Sequence, residues 1–212
     1  MRRILVINPN SNESVTEGLR QTLSSYAARA KIDCATLREG PFGIESDDDI
    51  ESVKPLIIQS IESSPDYDAY VIACYSDPGL AECRRRFDKP VHGMQQSAVE
   101  TAVAIGGKFG VLALSEQSIA RHLAYIDMLG FSDRLAGELP LNITVDQAAN
   151  DSSAINRVLA CGRSLIDDHY ASSLILGCAG MAQIRSAAQQ LLPVPVIEPA
   201  QAAVERALQK EY

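Results

Sequence analysis

Residues 69–80 read AYVIACYSDPGL, and residues 172–181 read SSLILGCAGM. Each is a short apolar, β-branched run that ends at a cysteine, Cys74 or Cys178, and then enters a turn of small residues. A helical stretch follows in both places, and after it a Pro-Val strand, KPVHG at 89–93 and VPVIE at 194–198. One local pattern written twice predicts two similar α/β halves with equivalent thiols at equivalent strand ends.

Outward from these stretches, short β-branched runs alternate with helical patterns along the whole chain. Strands are expected at 4–7, 32–37, 69–73, 90–93, 109–114, 139–144, 173–177 and 195–197. Alternation of this kind marks βαβ units and parallel sheets. In the first helix Ser11 or Asn12 supplies the cap, and Val15, Leu19, Leu23 and Ala27 recur on one face. A second helix is expected over 152–170, with Ile155, Leu159, Gly162 and Ile166 in register. The strands fall into two sets of four. The expected subdomains are 1–97 together with 199–212, and 98–198. Ligands of parallel α/β sheets bind beyond the carboxyl ends of the strands, so two facing halves would share a cleft there.

Bulk properties narrow the function. A chain of 212 residues, 46% of them hydrophobic, can bury a substantial core. Its net charge of −8 argues against a nucleic-acid partner, because phosphate binding calls for a basic surface. No apolar stretch approaches the ~20 residues of a membrane span, and the run after Arg2-Arg3 is too short for a signal segment. The expectation is a soluble, cytoplasmic protein. Five cysteines without a C-x-x-C pair, and His92, His122 and His169 far apart in sequence, give neither a disulfide framework nor a metal-ligand spacing. No metal is expected. Phosphate-loop and dinucleotide fingerprints are missing, since GCAGM is not G-x-G-x-x-G.

The chemistry therefore rests on the thiols. A lone strand cysteine is usually a small core residue. Two at equivalent strand ends, each before a turn and helix, point to a pair that moves a proton off one face of a carbon and onto the other. Asp77-Pro78 reads as an N-cap followed by proline at the first helical position, which sets Cys74 near a helix N-terminus with the Asp77 charge opposing it. Ala179-Gly180 lets backbone N–H groups come close to a ligand and hold a developing enolate oxygen. Cys34, Cys83 and Cys161 read as structural, and so does His92. The segment Asn8-Pro9-Asn10-Ser11-Asn12 reads equally as a set of substrate hydrogen-bonding groups or as turn and cap chemistry.

The stretches VINPNSN (6–12), ACYSDPGL (73–80), PVHGMQQSA (90–98) and LGCAGMA (176–182) resemble, in order and over essentially the whole chain, the aspartate/glutamate racemase superfamily. Within it the chain looks most like the hydantoin and allantoin racemases. That resemblance implies two α/β subdomains related by a pseudo-two-fold, each a four-stranded mainly parallel sheet flanked by helices, with the active site between them. It implies a homo-oligomer acting without a cofactor on a small molecule, with Cys74 and Cys178 as the acid/base pair. Asn8, Pro9, Asn10, Tyr75, Ser76, Ala179 and Gly180 would line the substrate pocket. The chain departs from the family at Ala113-Leu114, where related racemases carry two hydroxyl residues, and at Gln96, where hydantoin racemases tend to carry an acid. Both departures favour a bulkier or less polar group at that wall. Other readings on this scaffold are an amino-acid racemase, a decarboxylase or isomerase, or a non-catalytic binding module that would not need the thiol pair.

Overall fold

The computed structural model describes residues 1–209. Strands β1 (Arg2–Asn8), β2 (Ala30–Thr36), β3 (Ala69–Ile72) and β4 (Val91–Gly93) form one sheet in the order β2-β1-β3-β4. Strands β5 (Phe109–Ala113), β6 (Leu135–Pro140), β7 (Ser173–Leu176) and β8 (Val196–Ile197) form a second sheet in the order β6-β5-β7-β8. Every pairing is parallel, and the two sheets repeat one topology. In each, strand order reverses between the first and third strands, and a ligand crevice opens at such a switch point.

The helices are α1 (Glu13–Leu23), α2 (Asp47–Glu62), α3 (Leu80–Arg86) and α4 (Met94–Ile105) in the first half. Then follow α5 (Glu116–Met128), α6 (Val145–Asn150), α7 (Ala154–Asp167), α8 (Arg185–Leu191) and α9 (Pro199–Leu208). Period-two alternation decides what each strand face meets. Leu5 and Ile7 of β1, with Tyr70 and Ile72 of β3, join Val53, Ile57 and Ile61 of α2 in one core cluster. Ile4, Val6, Ala69 and Val71 point the other way, into a larger cluster with α1, α9 and Leu112, Leu174 and Leu176 of the second sheet. Each such aliphatic side chain contributes roughly 1.5–3 kcal/mol by leaving water. The sheets are thus joined through a continuous apolar core.

Helix α9 packs on β1, β3, β4 and α4. The expected boundary at 97/98 falls inside α4, and positions 210–212 of the expected first subdomain lie outside the described residues. In α1 the cap is Asn12, whose side chain accepts from the Ser14 N–H at 3.0 Å. Val15, Leu19 and Leu23 are buried as expected, but the helix ends before Ala27, which is exposed, and Tyr26 fills the core instead.

One strand is displaced. The sixth lies at Leu135–Pro140, not at 139–144. Its residues are all partly exposed, although the Glu138 side chain is buried, and Gly137 and Glu138 interrupt any apolar run. The apolar residues that follow are buried differently. Leu141 and Ile143 donate their N–H groups to Ala113 and Leu114 across a kink at Asn142, whose φ of 52° breaks the pleat.

Candidate active site

Cys74 follows β3 and Cys178 follows β7, the third strand of each sheet. Both line one cavity with about 560 Å³ of free space, part of it open to solvent. Asn10, Tyr75, Ser76 and Ala179 line it as well. Asn8, Pro9 and Gly180 do not. Asn8 is fully buried and works on the turn: its Nδ2 donates to Asn10 Oδ1 at 2.9 Å and to Thr16 Oγ1 at 3.0 Å, while its Oδ1 accepts from the Asn10 N–H. The amide that reaches the cavity, Asn10, is held there by Asn8. Gly180 donates its N–H to Cys178 Sγ at 3.3 Å.

The thiols share one logic. Burial pushes Cys74 up to about 11, with a hydrogen bond from the Ser76 N–H opposing it, the Asp77 charge adding to it and Arg121 offsetting it. Burial pushes Cys178 up to about 12, the Gly180 N–H opposes this, and the Cys74 and Glu45 charges add to it. In each turn the amide two residues beyond the cysteine supports a thiolate. In each, removal from water opposes it more strongly. The Cys74 charge raises the proton affinity of Cys178, so a thiolate on Cys74 favours a thiol on Cys178.

Each cysteine turn is braced by a helix of the opposite half. The turn after Cys178 is a 3-10 helix, Ala179–Ile184, packed against α1. On the other side, Tyr75 stacks edge-on against His122 of α5, with ring centroids 4.8 Å apart. Three contacts tie the halves together around the cavity. Arg121 Nη1 meets Asp47 Oδ1 at 2.6 Å, Glu45 Oε1 accepts from the Val145 N–H at 2.9 Å, and Asn12 Nδ2 donates to Asp146 Oδ1 at 3.0 Å.

Asp77 does not cap the helix that follows it. Helix α3 starts only at Leu80, with left-handed Gly79 before it, and Asp77 itself has φ 47°. Its carboxylate turns under the chain to accept from the N–H groups of Gln95 and Gln96, each at 3.0 Å, and so caps α4. Burial raises it to about 7 against those donors and Arg84. Gly93 leaves the space: a Cβ there would fall on the carboxylate.

Among the other candidates, Cys83 is buried in the first-half core and Cys161 lies 3.7 Å from the Pro140 carbonyl. His92 sits on β4 outside the cavity lining, and burial with the Arg84, Arg206 and Arg2 charges lowers it to about 4. Ala113 and Gln96 are also outside the lining, whereas Leu114 faces the cavity. That wall is not simply apolar, because Ser115, Ser118, Arg121 and His122 stand beside Leu114. His122 Nδ1 meets Glu138 Oε1 at 2.6 Å, and both side chains are almost fully buried. Residue types and spacing gave no sign of this pair, which β6 and α5 assemble only in three dimensions. Among the described residues no cluster of three or more His, Cys, Asp or Glu side chains is arranged to hold a metal, and no helix is long and apolar enough to cross a membrane.

Two α/β halves with a cysteine from each at a shared cavity define a class, and the Asp/Glu/Hydantoin racemase family model matches residues 4–207. The chain belongs to that family, and it is a racemase. A hydantoin racemase of Pseudomonas sp. (strain NS671) is 31% identical over 201 residues, covering 92% of this chain and 80% of that protein. A hydantoin racemase of Paenarthrobacter aurescens is 31% identical over 207 residues, covering 95% and 87%. The solved allantoin racemase from Klebsiella pneumoniae superposes with a TM-score of 0.92 at 27% identity, covering 98% of this chain and 86% of that one.

Proposed function

We propose that this chain racemises 5-substituted hydantoins, allantoin among them, without a cofactor, through Cys74 and Cys178 as a two-base pair. The observation that carries the reading is the placement of the two sulfurs at one cavity on turns from opposite halves. One cysteine, as thiolate, removes the proton at the ring carbon alpha to the carbonyl. The other, as thiol, delivers a proton to the opposite face, and the roles exchange for the other enantiomer. The negative charge moves onto the adjacent carbonyl oxygen, where backbone N–H groups near Tyr75 and Ala179 stabilise it. Positioned proton transfer supplies on the order of 10²–10⁴ in rate, and stabilisation of the enolate much of the remainder. A hydantoin ring suits raised thiols better than a free amino acid does, because its α-proton is the more acidic.

Incubation of each enantiomer of several hydantoins, and of allantoin, in D₂O tests this directly. Loss of optical rotation with deuterium incorporation is expected. The absence of exchange with every ring substrate would rule out the ring-racemase reading.

A further inference from the structure

We infer that Arg121 is a further catalytic residue: its guanidinium meets the carbonyl oxygen beside the reacting carbon and takes up the negative charge formed there. The cavity is therefore a site for a flat ring anion. The inference rests on the ring-racemase reading and deepens it. Among the described residues, Arg121 is the only lysine or arginine that lines the cavity holding both sulfurs, and it comes to it from α5.

The guanidinium keeps most of its charge for a ligand. Its Nη1 contact goes to Asp47, whose side chain is 81% exposed, and so solvated a partner neutralises little of it. Nε is buried with no partner, so no protein acceptor offsets the charge there either. A guanidinium serving structure alone would pair its buried N–H, since an unpaired one is costly. The Arg121 side chain is still 25% exposed, which leaves donors at its end for a ligand oxygen.

The layout of charge places that oxygen on the ring and not on a substituent. Burial raises the Cys74 thiol and the Arg121 charge draws it back, so the cation acts where Cys74 takes or returns the proton. Asp77, which adds to the rise, lies outside the cavity lining and is turned toward the amides of α4. The carboxylate that does line the cavity, Glu45, acts on Cys178 instead, and the Val145 N–H holds its Oε1. Positive charge thus stands on the Cys74 side of a bound ring and negative charge on the Cys178 side. As the C–H bond breaks, the proton passes to the thiolate sulfur and its electron pair forms the new C=C bond. The carbonyl π pair comes to rest on the oxygen beside Arg121. At neutral pH both raised thiols are protonated at rest, so the anion arises only along the reaction. A fixed cation there favours the transition state over the neutral bound ring, which is the condition for a gain in kcat.

The test uses the purified full chain and two flat rings. Barbiturate is an anion at pH 7 with its charge spread over carbonyl oxygens, and uracil is neutral at that pH. Calorimetry gives the Kd of each, and racemisation of a hydantoin gives kcat and KM. Barbiturate is expected to bind about tenfold more tightly than uracil, or better. Arg121→Gln should bring that ratio near one and lower kcat by about tenfold or more, with KM changed by less than about threefold. A wild-type ratio at or below one overturns the inference. So does an unchanged ratio in folded Arg121→Gln, because an effect on the Cys74 thiol alone would lower kcat and leave the ratio as it was. A kcat reduced by less than about twofold is equally fatal. Should Arg121→Gln fail to fold, Arg121→Met keeps the aliphatic stem and is read in the same way. If no hydantoin is racemised, the ring-racemase reading fails by itself, and binding then decides the anion site. A barbiturate preference that Arg121→Gln removes upholds it, and equal, reversed or absent binding overturns it.

Discussion

The turns after Cys74 and Cys178 begin alike and then diverge. Both take the thiol off the third strand of a sheet, and both aim the amide two residues on at the sulfur. After Cys74 the chain passes through two positive φ angles, at Asp77 and Gly79, before α3 begins. After Cys178 it runs straight into a 3-10 helix and then α8. The helix behind the fourth strand is capped by a carboxylate in both halves. Asp77 caps α4 from the distant cysteine turn, whereas Glu198 caps α9 from its own N-cap position, accepting from Ala200 at 2.9 Å and Gln201 at 2.7 Å. The repeat thus keeps a physical requirement, carboxyl oxygens on orphan helix amides, while changing the residue that meets it. In the first half, the cap and the turn after Cys74 are mechanically one piece.

The largest effect that tests the equivalence of the halves is at the sulfurs. Cys74→Ser and Cys178→Ser should each lower kcat by at least ~10³, as polarimetry would measure, since a hydroxyl is a far weaker acid than a thiol. Retention of turnover in either variant would end the symmetric two-base scheme. In the wild type both thiols are raised, to about 11 and about 12, so the reactive thiolate is scarce at neutral pH and becomes more abundant as pH rises. Hence kcat/KM should climb by up to about tenfold per unit across pH 7–9. A flat profile over that range would mean that the thiols are not limiting in the free enzyme.

Next in size is the coupling of turn to cap. Gly93→Ala places a methyl group on the Asp77 carboxylate and should cost about 2–4 kcal/mol in urea unfolding through loss of the buried cap. The second half has no matching vulnerability, since the cap residue there is Glu198 itself.

A pH series tests what the two caps share. Asp77 rises from its ordinary 3.8, and Glu198 from 4.5, to about 7 in each case. The folded state therefore holds these protons longer than the unfolded chain does. Their stabilising contribution is present below the ordinary values and is lost as pH rises through about 7. The stability advantage of wild type over Asp77→Asn, and over Glu198→Gln, should accordingly shrink from pH 4 to pH 8 by on the order of 1–4 kcal/mol. An advantage that grew over this range would show that the carboxylates are better stabilised as anions than burial allows.

What the residue pattern reveals follows what each residue's immediate neighbours decide. Strands β1, β3, β5 and β7 are apolar runs buried on both faces, so hydropathy alone finds them. Strand β6 is half-exposed and carries Gly137 and Glu138, and the more apolar stretch after it drew the expectation four residues downstream. The cysteines were legible because the motif is written twice. The His122–Glu138 pair was not, because neither residue type nor separation hints that β6 and α5 will press the two side chains together. Asp77 was legible as a capping residue, but its helix was not: the positive φ that swings it beneath the chain is settled by the room Gly93 leaves.

The smallest effect concerns the brace that crosses between halves. Gly18 lies inside α1 and faces Gln183 in the turn beyond Cys178, and a Cβ there would come within 3.1 Å of the Gln183 amide nitrogen. Two terms oppose each other in Gly18→Ala. Replacing glycine in a helix interior gains roughly 0.5–1 kcal/mol. Displacing the end of a flexible glutamine costs a similar or smaller amount, unlike the carboxylate met at Gly93, which is fixed by two amides. Stability in urea should therefore change by no more than about 0.5 kcal/mol, most of the helical gain being spent on moving Gln183. Any movement transmitted from α1 would reach Cys178 and not Cys74. The kcat/KM values in the two directions, starting from each pure enantiomer, should shift together by less than about threefold, because the equilibrium between enantiomers fixes their ratio. A tenfold loss with unchanged stability would mean that the distance from α1 to the turn sets the position of the Cys178 sulfur far more tightly than the packing suggests.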